Sequence, residues 1–157
     1  MIQRIQTIFL ALAAICMFSV LFFPVLNLST GDGEREILLT AYQLQFIEGG
    51  EPVNEQPTFY IAVLVFLSAT LAIASIFSYK NRLTQMKLNF GNTLFMAATL
   101  GINLYFIFEA EDFLLGAREG SFGIGFYLVP SAMIFNSLAN RFIRKDEKLV
   151  RSADRFR

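Results

Sequence analysis

Apolar positions along the chain gather into four long, nearly unbroken runs, with polar residues confined between them. A helix on the surface of a soluble domain shows an apolar stripe, whereas a continuous run of about 20 apolar residues matches the width of a bilayer core. The runs are "TIFLALAAICMFSVLFFPVL" (7–26), "PTFYIAVLVFLSATLAIASIFSY" (57–79), "LNFGNTLFMAATLGINLYFIF" (88–108) and "FGIGFYLVPSAMIFNSLANRFI" (122–143). Pro24 marks the exit of the first, and Pro57 suits the first helical position of the second, where its missing N–H costs nothing. The pattern predicts an all-α integral membrane protein. It would be a four-transmembrane-helix bundle in a single polytopic domain over residues 1–157, with an outer loop at 27–56 and a cytoplasmic tail at 144–157. No small-x-small cleavage site follows the first run, so that run is read as retained.

The polar segments alternate in charge. The segment 27–56 carries Asp32, Glu34, Glu36, Glu48, Glu51 and Glu55 against Arg35, a net of −5. Lys80, Arg82 and Lys87 make the next one +3, and the segment 109–121 is −3. From Arg141 onward, seven basic and three acidic residues give +4, and Arg4 precedes the first run. Basic flanks stay in the cytoplasm, so both termini are expected inside a bacterial inner membrane and both acidic loops outside. Net charge over the whole chain is zero and carries no information about partners.

Within the first loop, "LNLSTGDGEREILLTAYQLQFIEGGEPV" has Gly-Asp-Gly between strand-like runs, a composition that favours a tight turn. A small β-hairpin or meander is expected over the outer mouth of the bundle. "TGDGE" is a turn and not a calcium loop, because the other oxygens that calcium requires are missing.

Inside the runs, Ser68, Ala72 and Ser75 share one helical face, and Ala97 and Gly101 lie four apart. Small residues let helix backbones approach closely, so both groups are expected at helix contacts. Asn92, Thr99 and Asn103 form a polar stripe on the third run, and Asn136 and Asn140 one on the fourth. Asn92, Asn103, Asn136 and Asn140 are the candidate interhelical polar contacts, expected to turn inward and bond one another; a polar path for a solute is the sharper alternative. Pro130, with Gly123 and Gly125 ahead of it, predicts a kinked or irregular outer half of the fourth helix.

Composition narrows the chemistry. The chain has no His and one Cys, Cys16, in an apolar run. Histidine is the commonest general base and metal ligand, and a lone thiol builds neither a disulfide framework nor a cysteine zinc site. No acidic or basic residue lies deep in a run, which argues against an ion-coupled transporter. No catalytic residue, metal or cofactor is predicted, and no nucleic-acid partner.

At about 100° per residue, the closing stretch "IRKDEKLVRSADRFR" winds into a helix with two faces. Arg144, Lys145, Lys148, Arg151 and Arg155 collect on one side, Leu149 and Phe156 on an apolar side. These seven residues are the candidate contact with anionic lipid or with a partner protein.

"MIQRIQTIFLALAAI", "YKNRLTQMKLN" and especially "ANRFIRKDEKLVRSADRFR" resemble a domain-of-unknown-function family of small Bacteroidota membrane proteins. The resemblance implies four helices and an inner-membrane location and assigns no activity. The layout, four helices with a β-rich first outer loop, is also similar to that of claudin-like proteins. The functional expectation is a non-enzymatic accessory or scaffold subunit of a membrane or envelope complex; the alternative is a small oligomeric transporter or channel using the polar stripes.

Overall fold

The structure, a computed structural model, describes residues 2–30, 33–79, 81–113 and 119–155. Within these ranges the side chains of residues 2–4, 110–113, 119–121, 151 and 153–155 are not described. Among the described residues four helices and five strands follow in the order α1 (Ile2–Ser19), β1 (Leu26–Ser29), β2 (Arg35–Leu39), β3 (Gln43–Glu48), β4 (Glu51–Pro57), α2 (Phe59–Phe77), α3 (Arg82–Phe113), β5 (Glu119–Phe122) and α4 (Ile124–Arg155).

The chain is therefore not an all-α four-span bundle. The loop expected to hold a hairpin or meander supplies four strands, and the other acidic loop supplies a fifth, in one antiparallel sheet of order β4-β3-β2-β1-β5. Among the described residues, α2 and α3 are long and apolar enough to cross a membrane. The first apolar run splits: its helix ends at Ser19, and the bonds Val20 N–H to Met17 O, Leu21 N–H to Phe18 O and Phe22 N–H to Ser19 O tighten the chain into a turn. The last residue of that run, Leu26, already belongs to β1. Hydropathy alone did not register this break, because a buried strand and a buried helix use the same apolar residues.

Alternation explains the strands. Leu26, Leu28, Ile37, Leu39, Leu44 and Phe46 point to one buried face, while Asn27 and Glu36 point away. The β3–β4 connection is Gly49-Gly50, both at positive φ (63° and 84°), a conformation that glycine adopts without strain. The β2–β3 connection is held by Thr40, whose Oγ1 accepts from the N–H groups of Tyr42 and Gln43. That turn also seats α2: Thr58 and Ala62 donate their N–H groups to the carbonyls of Tyr42 and Ala41.

The helices pack in a closed circuit, α1 on α2, α2 on α3, α3 on α4 and α4 on α1. The buried sheet face joins Met17, Ile61, Phe106, Ile107 and Val129 at one end of the helices in a single apolar core. Phe9 on α1 stacks on Phe135 and Phe142 of α4, with ring centroids 6.3 and 5.6 Å apart.

Gly123 and Gly125 serve a close backbone contact at the start of the fourth helix. They let its first turn press against the Phe23–Val25 backbone, where a Cβ on Gly123 would sit 2.1 Å from the Pro24 carbonyl oxygen and one on Gly125 2.7 Å from that of Phe23. The N–H groups of Gly123 and Gly125 donate to the carbonyls of Val25 and Pro24. From there α4 runs to Arg155 as one helix that contains Pro130.

A polar seam inside the helices and a basic helix end

Helix α3 distributes polarity the wrong way round for a protein in water. The buried face of α3 reads Gln85, Asn89, Asn92, Met96, Thr99, Asn103 and Phe106 at alternating four- and three-residue steps. Its exposed face carries Leu83, Phe90, Leu94, Leu104, Tyr105 and Phe108. The other helices expose Ile8, Ile15 and Phe18 on α1, Val63, Phe66 and Phe77 on α2, and Ile124, Tyr127 and Ile134 on α4.

Against α3 lies the small-residue face of α2, with Ser68, Ala69, Ala72 and Ser75 all buried. Two rungs join the helices: Ser68 Oγ donates to Asn92 Oδ1 at 2.5 Å, and Ser75 Oγ donates to Asn89 Oδ1 at 2.6 Å. From α4, Asn136 Nδ2 donates to both the Asn89 carbonyl and Thr93 Oγ1 at 2.9 Å. Thr93 in turn donates to that same carbonyl at 2.9 Å. Three helices thus meet at Asn89.

Asn92, Asn103 and Asn136 are buried and Asn140 is half-buried, but they do not bond one another. Asn92 takes a serine, Asn136 takes a carbonyl and a threonine, and neither amide atom of Asn103 has a partner among the described residues. Ala97 and Gly101 are exposed, and a Cβ on Gly101 would meet nothing within 4 Å. The sequence reading passed over Asn89 and Gln85. The three-four spacing that marks Asn92 and Asn103 extends back through Asn89 to Gln85, into a stretch taken for a loop because it is charged.

The second feature is the end of α4. Arg82, the first residue of α3, reaches across to it: Nη2 lies 2.8 Å from Asp146 Oδ2, Nη1 lies 3.9 Å from Glu147 Oε2, and Nη1 donates to the Asp146 carbonyl at 3.3 Å. Ile143 is buried on the same side of the helix. Arg144, Lys145 and Lys148 are exposed, as are Leu149 and Val150. Arg151 and Arg155 continue the helix, their side chains lying outside the described residues together with Phe156.

A groove of about 440 Å³ lies at the helix–sheet junction, lined by Leu21, Phe22, Phe23, Pro24, Leu38, Thr40, Tyr42 and Gln43. Among the described residues, no group of three or more His, Cys, Asp or Glu side chains could hold a metal ion.

Fold and site together define an α+β protein whose helices expose large apolar side chains and enclose a buried polar seam along α3, roofed at one end by an antiparallel sheet. Comparison with protein families then places it: the chain matches the Domain of unknown function (DUF4293) family over residues 2–156 and belongs to that family. No curated protein matches it.

Proposed function

We propose that this is a bacterial inner-membrane protein of Bacteroidota type. Its helical layer is immersed in lipid with α2 and α3 as crossing helices, and it serves as a non-enzymatic accessory or scaffold subunit of a membrane or envelope complex. The observation that carries the membrane reading is the inverted polarity of α3, with amides against its neighbours and Phe90, Leu94, Tyr105 and Phe108 facing out. In water that arrangement exposes apolar area; in lipid that exposure carries no penalty, and amides turned toward neighbouring helices reach partners that acyl chains cannot offer. Hydroxyls agree, since the exposed Thr70 and the half-buried Ser131 donate back to the carbonyls of Phe66 and Tyr127 on their own helices. The basic ends of α3 and α4 support a cytoplasmic location for that side and for both termini.

The scaffold reading is supported by the sheet. Two separate chain segments build it, its apolar face is shared with the helices, and it leaves Tyr42 and Val53 exposed. Its outermost strand β4 carries Pro52, Pro57 and two glutamates, a sequence that discourages further strand pairing, so a partner would use the face and not the edge. Membranes expressing the tagged chain should retain it through an alkaline carbonate wash. Purification in mild detergent should then recover a stoichiometric partner that is lost from a Tyr42→Asp/Val53→Asp variant. Release by carbonate would overturn the membrane reading, and recovery of the chain alone would overturn the scaffold reading.

The second reading, a small oligomeric transporter or channel, has one observation in its favour: Asn103 is fully buried on α3 with both amide atoms unpartnered among the described residues. Solute flux into proteoliposomes that falls in Asn103→Leu would support it.

A further inference from the structure

We infer that the cytoplasmic end of α4 is a headgroup-binding stripe for anionic phospholipid, sorted into a purely basic surface by Arg82. The inference rests on the membrane reading above and adds the partner and the residues. Arg141, Arg144, Lys145 and Lys148 recur at three- and four-residue steps, so they share one side of the helix. All four are exposed, and among the described residues no carboxylate pairs with them. Asp146 and Glu147, the acidic residues between them, lie on the opposite side with buried Ile143. There Arg82 engages both, and the three side chains are only 19%, 15% and 22% exposed. Without Arg82 those two carboxylates would cancel half the positive charge of the four-residue stripe; Arg82 offsets one of them, and both are turned away from the stripe.

The level of the stripe decides what it meets. Arg82 opens the apolar stretch Arg82–Glu109, so its ion pair with Asp146 fixes residues 141–148 of α4 at the boundary where that stretch begins. A basic stripe at that boundary, facing away from the neighbouring helices, looks sideways into the ring of surrounding lipids. Long Lys and Arg side chains at such a position lay their methylenes along apolar surface and set their charges among phosphates. Exposed Leu149 and Val150 extend apolar surface just beyond. An anionic phospholipid, with a diffuse phosphate charge above acyl chains, matches both components.

The test is native mass spectrometry of the purified full chain with phosphatidylglycerol and phosphatidylcholine supplied in equal amounts. Retained lipid should favour phosphatidylglycerol by at least about threefold. In Arg144→Gln/Lys145→Gln/Lys148→Gln the preference should fall to near unity, while helical circular dichroism and thermal midpoint in neutral detergent stay at wild-type values. In Arg82→Gln it should fall partway, since the stripe's own cations are intact. A carbonate-resistant wild-type chain with no preference, or a triple variant that keeps it, overturns the inference and leaves the membrane reading standing.

Discussion

Asn89 and Gly123 are the two residues on which the most geometry converges. Asn89 joins three helices, its side chain to Ser75 and its carbonyl to Asn136 and Thr93. Removing the α4 contribution with Asn136→Ala deletes two hydrogen bonds and should cost about 1–2 kcal/mol, read as a lower unfolding midpoint in detergent. Asn140→Ala, one turn further on, should cost less. Gly123 is set by space: its missing Cβ is what lets α4 meet the Pro24 carbonyl. Gly123→Ala should destabilise by about 1–3 kcal/mol or prevent folding, whereas Gly91→Ala, with nothing within 4 Å, should be neutral or slightly stabilising in thermal unfolding. The sequence shows both glycines and both asparagines, and nothing local tells a glycine that kinks a helix from one that seats it. That distinction depends on the Phe23–Val25 backbone, about a hundred residues away.

Among elements, α4 shows how one helix serves two environments. Its buried side steps through Val129, Ala132, Asn136, Ala139 and Ile143, and the same side then delivers Asp146 and Glu147 to Arg82. The contact is the one polar clamp described at that end of the helix, and its side chains are largely shielded. Arg82→Gln should therefore raise amide hydrogen exchange across residues 144–155 several-fold while leaving residues 124–140 protected. Uniform protection in the variant would mean that the clamp does not order the helix end. The helical periodicity of the closing stretch was legible in the sequence, including its basic side. What faces its acidic side was not, because Arg82 lies 64 residues earlier.

For the whole molecule, the shared core makes sheet and helices interdependent. Ile37 and Leu44 are fully buried in the same cluster as Met17, Ile61 and Val129. Truncating either to Ala should cost about 2–5 kcal/mol, and helical and sheet signals should melt together, not in two steps. A helical layer that keeps its midpoint when Leu44 is truncated would show two independent units instead of one.

Apolar runs, the alternation of charge between them and the polar stripes are local patterns, and the amino-acid sequence determines them by itself. It also determines that β-forming alternation occupies the segment after the first run. Only the tertiary structure decided where that run stops being helix, that β5 from the other acidic loop completes the sheet beside β1, and that serines, not other asparagines, donate to the buried amide oxygens of Asn89 and Asn92. It also decided the count of helices apolar and long enough to cross a membrane, reducing the four expected to α2 and α3 among the described residues. The reason is common to all of these. Periodicity says which face of a segment is buried, but strand pairing, amide partners and close backbone contacts join residues distant in sequence, and their choice is made by packing.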